Sequence, residues 1–181
     1  MSQLARHSKF TVANYIRYFI QKFRLGSCGK KILFEKNVSL LRFPKKIELD
    51  DFCHIKSGAK ICPCNESAKI SIGASTSIGY NTIIFASEKI EIGNNCMIAP
   101  NAYIVDSDHG TDKNMPMKNQ ENVTAPISIG DDVWIATGAV VLKGSKIPQG
   151  CVIAANSVVK GKLEPYGIYA GAPARKIGER K

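Results

Sequence analysis

The sequence lacks a long apolar run. Its clearest apolar stretch near the start, Tyr15 to Ile20, contains Arg17 and is far shorter than the roughly 20 residues that a membrane-spanning helix needs. No small-residue cleavage site accompanies it, so we expect no signal peptide. Basic residues interleaved with aromatic ones, as on nucleic-acid-binding surfaces, are also missing despite a formal net charge of +10. We therefore expect neither a transmembrane helix here nor a nucleic-acid partner.

Six cysteines are present, but nothing else points to a disulfide-stabilised secreted protein. A chain of 181 residues with 44% apolar content can form one domain with an adequate core and needs no disulfide or metal for stability. Cys62 and Cys64 are separated by one proline, whereas metal-binding pairs are more often separated by two residues. We expect free thiols in a reducing compartment and no metal site.

What is present is a period of six residues, in which β-branched or leucine side chains recur from Leu49 to Val159. The positions are Leu49, Ile55, Ile61, Ile72, Ile78, Ile84, Ile92, Ile98, Ile104, Ile129, Ile135, Val141, Ile147, Ile153 and Val159. Successive groups of three are separated by insertions of 5, 2, 19 and 0 residues. Such a period predicts a solenoid. Because it matches no helical repeat, each hexad is predicted to be a short strand and a corner.

A second register, usually of small residues, lies two residues before the first. Its members are Cys53, Ala59, Thr76, Thr82, Cys96, Ala102, Ala139, Ser145, Cys151 and Ser157. Because residues i and i+2 lie on the same side of a strand, both registers are predicted to point inward. Three hexads then form one triangular coil, and about five coils at about 4.8 Å spacing form the solenoid. Glycines such as Gly73 and Gly79 follow the large residue, where we expect no room for a side chain.

Charge divides the chain into three parts. Residues 1–46 contain 11 Lys and Arg against one acid, residues 47–142 contain 6 against 12, and residues 143–181 contain 8 against 2. We assign residues 1–46 to a basic N-terminal extension, 47–164 to the solenoid and 165–181 to a C-terminal tail. The basic ends are compatible with a polyanionic small molecule or an anionic membrane surface.

Apolar residues at helical spacing predict an amphipathic helix in the N-terminal extension. They are Val12, Tyr15, Ile16, Phe19, Ile20 and Phe23. Arg17, Lys22 and Arg24 lie among them, and Gly26 is expected to end the helix. Two compatible roles remain open. The helix can cover the open strand edges of the first coil, or it can lie on a membrane surface.

The longest insertion, the loop at residues 110–128, is the most irregular part of the predicted solenoid. Long loops on rigid scaffolds often carry function. At its start the chain reads Asp106-Ser107-Asp108-His109-Gly110, and His109 is one of only three histidines. A histidine held by a carboxylate is a suitable general base near neutral pH, which makes His109 a catalytic candidate.

Together with the six-residue period, three motifs resemble those of the hexapeptide-repeat acyltransferases. The motifs are Asp106 to His109, Ile129 to Ile135, and Ala170 to Arg175. Over residues 47–178 the chain is most similar to the sugar O-acetyltransferases and xenobiotic acetyltransferases of this family. The resemblance implies an all-β fold, a left-handed parallel β-helix, which assembles as a homotrimer with active sites between subunits. It also implies acetyl-CoA as the acyl donor.

The resemblance further implies roles for individual residues. His109 matches the histidine that deprotonates the acceptor hydroxyl for direct attack on the thioester, and Asp106 or Asp108 would orient its ring. Neither a metal nor a cysteine nucleophile is implied. The positions that match donor contacts are Ala136, Thr137, Ala155, Lys160, Gly161 and Arg175. Arg175 corresponds to a basic residue near the phosphates of the nucleotide.

The acceptor site is implied less completely. Trp134 matches a residue near the catalytic cleft of family members, and Asn81 lies near, but out of register with, their acceptor-binding position. Family members that act on galactosides carry an asparagine and an acid on the coil before the histidine, where this chain has Gly79 and Ser87. We therefore expect a small-molecule or glycan acceptor that is not recognised in the galactoside manner.

These expectations favour an acetyl-CoA-dependent O-acetyltransferase that modifies a saccharide during bacterial surface-polysaccharide assembly. It would work in the cytoplasm, where the basic helix could bring it to the inner face of the membrane. An amino-sugar or nucleotide-sugar N-acetyltransferase is the nearest alternative, followed by a xenobiotic acetyltransferase. A zinc-dependent γ-carbonic anhydrase shares the fold but needs three histidines, for which His7, His54 and His109 are available. A purely structural solenoid would not need the long insertion.

Overall fold

The protein is a solenoid of three parallel β-sheets, preceded by one helix. A computed structural model describes residues 10–181. Helix α1 is Val12–Arg24, and two short 3-10 helices are Pro44–Lys46 and Met117–Asn119. The first sheet contains β1 (Ser27–Cys28), β4 (Ile47–Leu49), β7 (Lys69–Ile72), β10 (Lys89–Ile92), β15 (Ile127–Ile129) and β18 (Lys146–Ile147).

The second and third sheets complete each coil. The second contains β2 (Leu33–Phe34), β5 (His54–Ile55), β8 (Ser77–Ile78), β11 (Met97–Ile98), β16 (Trp134–Ile135), β19 (Val152–Ile153), β21 (Gly167–Ala170) and, antiparallel at its edge, β22 (Arg175–Glu179). The third contains β3 (Ser39–Leu40), β6 (Lys60–Pro63), β9 (Ile83–Ala86), β12 (Tyr103–Val105), β17 (Val140–Val141) and β20 (Val158–Val159). A separate hairpin pairs β13 (Ser107–His109) with β14 (Asn122–Thr124).

The six-residue period is confirmed as the inward-facing core of the solenoid. All fifteen residues of the large register are at most 3% exposed, and all ten of the small register are at most 1% exposed. Counterparts in successive coils lie directly opposite each other in the ladders, as Ile72 does with Ile92 in the first sheet and Ile78 with Ile98 in the second. The core is therefore a stack of matched layers that runs along the whole solenoid.

The solenoid has about six coils rather than five and begins before residue 47. Its first coil consists of β1, β2 and β3, in which Cys28, Phe34 and Leu40 pair with Leu49, Ile55 and Ile61. This coil does not follow the pattern of the others, because a small cysteine takes a large position. Ile32, which is 0% exposed, takes a position that is small in the later coils.

Three corners join the sheets, and they are numbered here in chain order. Corner 1 joins the first sheet to the second, corner 2 joins the second to the third, and corner 3 leads from the third sheet to the next coil. All insertions lie at corner 3, as the spacing predicts. Coils approach closely at the corners, since a Cβ at Gly79 would lie 2.5 Å from the carbonyl carbon of Ala99. The expected lack of room after the large residue is confirmed at this position.

Helix α1 forms as predicted and packs against the first coil. Thr11 caps it by accepting a hydrogen bond from the Asn14 backbone N–H, and Leu25 follows its last turn. The helix contacts β2, and the Tyr18 hydroxyl donates to the Gly29 carbonyl at 2.9 Å. Among the described residues no helix is long and apolar enough to cross a membrane.

The layered core predicts that replacing two neighbouring residues of β11 has very different effects on the stability of the protein. Replacing Ile98, which is 2% exposed, with alanine leaves a cavity and should cost about 2–5 kcal/mol. That loss corresponds to a thermal midpoint roughly 5–15 °C lower. The control is Met97→Ala on the outer side of the same strand, where the side chain is 46% exposed. Equal midpoints for the two variants, measured by circular dichroism, would contradict this core.

Candidate active site

The longest insertion is an ordered excursion of residues 106–126 that leaves the solenoid at corner 3. It is not an irregular loop, because β13 and β14 pair antiparallel at its base and place His109 opposite Asn122. At its tip the Gln120 side chain donates to the carbonyls of Asp112 and Met115 at 2.8 and 2.7 Å. The excursion ends at residue 126, and the chain rejoins the first sheet at Ile127, the first residue of β15.

Asp106 anchors this excursion to the coil before it. Its side chain is 0% exposed and accepts three backbone hydrogen bonds, from Ser87 at 2.6 Å and from Glu88 and Lys89 at 2.8 Å each. The Asp106 carbonyl also accepts from the Ala125 backbone at 3.0 Å, which closes the base of the hairpin. Both carboxylate oxygens are thus used in holding the backbone, and neither is hydrogen-bonded to His109.

His109 is exposed at the base of the excursion. Within residues 10–181 its ring makes no hydrogen bond, so its nitrogens are open to a bound molecule. The neighbouring Asp108 is also exposed, and its Oδ2 lies 3.4 Å from Lys143 Nζ. Lys143 also donates to the Val123 carbonyl on the other strand of the hairpin at 3.2 Å. Lys143 therefore ties both strands of the hairpin to the next coil, a role that no sequence motif indicated.

A row of small polar groups lies beside the base of the excursion. Ser107 Oγ accepts a hydrogen bond from Ser87 Oγ at 2.9 Å, and Ser87 Oγ lies 3.1 Å from Cys64 Sγ. Asn65 donates to the Ser87 carbonyl at 2.8 Å. Sequence reasoning missed this row, because its members come from three coils and only the ladder register brings them together.

Three of the six expected donor contacts lie together at corner 2. Thr137 and Ala155 are exposed there, and the Asn156 backbone donates to the Thr137 carbonyl at 2.9 Å. Ala136 starts the same corner, but its side chain is only 9% exposed. The segment Ala170 to Ala174 is held against this corner, since the Ala174 backbone donates to the Val158 carbonyl at 2.8 Å.

Arg175 follows this segment with its guanidinium group free. Within residues 10–181 it has no ion-pair partner, and Nη1 donates only to the adjacent Ala174 carbonyl at 3.2 Å. The nearby cations are occupied, because Lys176 pairs with Glu164 and Glu179, and Arg180 pairs with Asp132. Of these three cations, Arg175 is therefore the one available to an anion.

Lys160 and Gly161 are not at corner 2. They follow β20 at corner 3, where the Lys146 backbone donates to the Gly161 carbonyl at 2.9 Å, and so lie on the side from which the excursion leaves. The third sheet separates the two corners. In the coil after the excursion six residues lead from Thr137 at corner 2 to Lys143 at corner 3, which is at most roughly 20 Å at about 3.3 Å per residue.

The two expected acceptor contacts are not adjacent to His109 along the solenoid. Asn81 lies at corner 2 with a φ of 54°, a left-handed conformation that asparagine adopts more readily than most residues. Its amide lies over Gly58 of the coil before. Trp134 is 45% exposed in the second sheet, between Met97 and Val152. Asn81 thus has a role in the turn at corner 2, and Trp134 lies on the face of the second sheet, away from corner 3 where His109 stands.

The described residues do not assemble the histidine cluster of a carbonic anhydrase. His7 lies outside them, and His54 sits in β5 with its Nε2 2.8 Å from Glu35 Oε1. Burial lowers the pKa of His54, although the hydrogen bond to Glu35 opposes this shift. No group of three His, Cys, Asp or Glu side chains within residues 10–181 is placed to hold a metal ion.

The cysteines of the small register are packing residues. Cys53, Cys96 and Cys151 are each 0% exposed, and burial raises the pKa of the Cys53 thiol to about 12. All six cysteines of the chain are free thiols. A buried thiol with so high a pKa is a poor nucleophile, so Cys53 serves in packing.

Comparison with known proteins identifies acetyltransferases. The family model "Bacterial transferase hexapeptide (six repeats)" matches residues 126–161. A probable acetyltransferase of Mycobacterium tuberculosis is 30% identical over 83% of this chain and 50% of its own length. The galactoside O-acetyltransferase of Escherichia coli K12 is 30% identical over 83% of this chain and 77% of its own length. A putative lipopolysaccharide biosynthesis O-acetyl transferase of E. coli K12 is 26% identical over 85% of this chain and 90% of its own length. The chain spans half the length of the mycobacterial relative.

Solved structures share the fold. A mutant N-acyltransferase from Bacillus cereus, in complex with dTDP and coenzyme A, has a TM-score of 0.79 at 22% identity and covers 95% of this chain and 90% of its own. A maltose O-acetyltransferase from Clostridium difficile 630 has a TM-score of 0.69 at 25% identity, covering 98% and 82%. A hexapeptide-repeat acetyltransferase from Vibrio cholerae, complexed with acetyl coenzyme A, has a TM-score of 0.64 at 25% identity, covering 94% and 80%.

The buried carboxylate at the base of the excursion predicts a loss of stability when Asp106 is replaced with alanine. Three backbone N–H groups would lose a charged acceptor, at a cost of about 3 kcal/mol or more, so the thermal midpoint should fall by roughly 10 °C. The matched control is Asp108→Ala, which removes only a partly exposed ion pair and should lower the midpoint by less than about 3 °C. Differential scanning calorimetry distinguishes the two, and an unchanged Asp106→Ala midpoint would refute the anchoring role.

Proposed function

The chain belongs to the hexapeptide-repeat family of bacterial transferases, and from this we propose that it is an acetyl-CoA-dependent O-acetyltransferase acting on a sugar hydroxyl. The observation that carries the proposal is the exposed imidazole of His109 on an excursion anchored by the buried Asp106 carboxylate. A free imidazole on a rigid base is what acid–base catalysis of acyl transfer requires. The named O-acetyltransferases among the relatives support this assignment.

In the proposed reaction His109 accepts the proton of the acceptor hydroxyl. The hydroxyl oxygen then bonds to the acetyl carbonyl carbon of the donor, and the bond between that carbon and sulfur breaks. The imidazolium returns its proton to the departing thiolate of coenzyme A. Histidine suits both steps because its ordinary pKa lies near neutral pH. The reaction needs neither a metal nor a covalent acyl-enzyme.

Asp106 and Asp108 take different parts in this proposal. Asp106 holds the excursion to residues 87–89 and positions His109 through the backbone rather than through its ring. Asp108, one residue before His109, is exposed and lies 3.4 Å from Lys143. Of the two, only Asp108 has an oxygen, Oδ1, that no group within residues 10–181 engages, so we assign to it any contact with a bound substrate.

The donor is proposed to bind along corner 2 towards Arg175. Coenzyme A carries a diphosphate and a 3′-phosphate, and a free guanidinium group recognises such groups with paired hydrogen bonds. Thr137 and Ala155 leave an exposed surface at this corner for the pantetheine arm. The acetyl coenzyme A bound to the related Vibrio cholerae acetyltransferase supports this choice of donor.

His109 and the donor corner belong to different edges of one chain, so a complete site calls for a second copy. The third sheet lies between corner 2 and the base of the excursion, and the chain that crosses it spans at most roughly 20 Å. If corner 3 of one copy faces corner 2 of the next, His109, Lys160 and Gly161 stand opposite Thr137, Ala155 and Arg175. Three copies arranged head to tail around an axis close such contacts into a ring. We therefore include a homotrimer in the proposal.

The acceptor is proposed to be a saccharide of bacterial surface-polysaccharide assembly, modified in the cytoplasm. The Ser107 hydroxyl beside the excursion, which accepts a hydrogen bond from Ser87, offers a polar partner at the rim of the site. The putative lipopolysaccharide biosynthesis O-acetyl transferase of E. coli K12 matches this chain over 90% of its own length, which supports this substrate class. Six free thiols agree with a reducing compartment.

An amine acceptor is the second candidate, favoured by the fold shared with an N-acyltransferase that is complexed with dTDP and coenzyme A. In that case the same histidine takes a proton from the ammonium form of the acceptor, and the neutral amine attacks the acetyl carbon as the bond from that carbon to sulfur breaks. The product separates the two functions, because mild alkali cleaves an acetyl ester and leaves an acetamide intact. A panel of free sugars, nucleotide sugars and chloramphenicol as acceptors also tests the xenobiotic alternative.

Removal of the proposed base is expected to abolish most of the activity. His109→Ala should reduce acceptor-dependent release of coenzyme A by about 100-fold or more, measured with a thiol reagent, while acetyl-CoA still binds. The matched control is Glu121→Ala, an exposed residue of the same excursion, which should retain the wild-type rate. Full activity of the histidine variant would remove His109 as the base.

Arg175 predicts an effect that depends on the nucleotide end of the donor. Arg175→Ala should raise KM for acetyl-CoA about ten-fold, equivalent to about 1.4 kcal/mol, with little change in kcat. Acetyl-pantetheine lacks the nucleotide and its 3′-phosphate, so the variant and wild type should use it equally well. Arg180→Ala, whose guanidinium is already paired with Asp132, is the control. An equal penalty with both donors would rule out phosphate recognition.

A further inference from the structure

Helix α1 packs with its polar side towards the solenoid and its apolar side outwards. Asn14, the one buried residue of the helix, faces the first coil together with Tyr18, which donates to Gly29. Arg24 Nη2 donates to the Leu40 carbonyl at 2.9 Å, and Lys45 Nζ donates to the Phe23 carbonyl at 2.8 Å. The helix is thus held in this orientation by polar contacts in its middle and at its C-terminal end.

The outward side of α1 is a large apolar surface, named here the α1 face. It consists of Val12, Tyr15, Ile16, Phe19, Ile20 and Phe23, whose exposures are 77%, 61%, 56%, 60%, 53% and 64%. At 100° per residue these side chains cover an arc of about 140°, centred about 170° from Asn14. Its three aromatic rings alone expose roughly 350 Å². The largest apolar patch on a typical monomer is about 300–600 Å² in total.

Basic residues border the α1 face on both sides. Lys22 projects about 20° beyond one edge of the arc, and Arg24 and Arg17 project about 40° and 60° beyond the other. The helix contains no acidic residue. Residues 10–46 contain nine Lys and Arg against Glu35 alone, and Glu35 is paired with His54.

We propose that the α1 face is a docking surface for an anionic lipid bilayer. In such docking the six apolar side chains enter the boundary between headgroups and acyl chains. Lys22 on one side and Arg17 on the other reach the phosphates with their long side chains, whereas Arg24 is held by the Leu40 carbonyl. A helix of 13 residues lies along the surface and does not cross the bilayer. The docking does not depend on the acetyl transfer proposed above.

The charge at the border favours a membrane over a second copy of the chain. In a two-fold contact between α1 faces, the basic edges of one copy would approach those of the other without an acid between them. Anionic headgroups instead supply negative charge on both sides of the helix. The tyrosine and phenylalanine rings also fit the interfacial region, where aromatic side chains are enriched.

Vesicle co-sedimentation of the full chain, without acetyl-CoA or acceptor, tests the proposal. The wild type should bind vesicles of phosphatidylcholine mixed with phosphatidylglycerol, bind phosphatidylcholine alone much more weakly, and be released by high salt. The variant Phe19→Ser with Phe23→Ser should weaken binding about ten-fold or more, and so should Ile16→Ser with Ile20→Ser. Lys22→Gln should weaken it about five-fold.

The controls are exposed residues far from α1. Ile177→Ser, at a position 67% exposed, and Lys118→Gln in the excursion should both bind vesicles as the wild type does. Wild-type protein that fails to bind anionic vesicles would overturn the proposal, and so would equal losses in the controls. If the wild type does not bind vesicles, and the Phe19→Ser with Phe23→Ser variant differs from it in oligomeric state by light scattering, the α1 face is a contact with a second copy of the chain. Any of these results leaves the proposed acetyl transfer untouched.

Discussion

Every coil of this protein has to return directly above the one before it, because each inward side chain packs on its counterpart in the neighbouring coil. The ladder from Ile72 through Ile92 to Ile129 keeps its register even though 34 residues separate Ile92 from the next strand of the first sheet. An insertion can therefore lengthen the chain only where it leaves and re-enters at the same corner. This constraint places the excursion, and with it His109, at corner 3 on a rigid support.

The period of six residues was sufficient to predict the solenoid, its inward registers and the corner that carries the insertions, because burial imposes that pattern directly on the sequence. The first coil escaped prediction where Cys28 and Ile32 exchange the large and small positions. The anchoring of Asp106 also could not be predicted, since its three backbone donors come from residues 87–89 of another coil. A carboxylate next to a histidine in sequence can equally well face away from it, and only the fold decides.

The same constraint explains why the candidate site is divided. Corners 2 and 3 are edges of a rigid prism, so residues on them cannot approach each other within one chain. In the proposed function, Thr137 and Arg175 on one edge therefore meet His109 across a contact between copies. The amphipathic pattern likewise predicted helix α1 but not which side of the helix faces the solenoid. Polar contacts of Tyr18 and Arg24 with the first coil turn the apolar side outwards.

The central claim is that His109 and the corner-2 surface form one active site. A crystal structure with bound coenzyme A measures this directly, as the distance from the coenzyme A sulfur to the nearest His109 imidazole. The account predicts the nucleotide phosphates beside Arg175 and the sulfur within about 5 Å of a His109 from a neighbouring copy, close enough for an acceptor oxygen to contact both. A sulfur more than about 10 Å from every His109 side chain would contradict the account, because no proton could then pass between them directly.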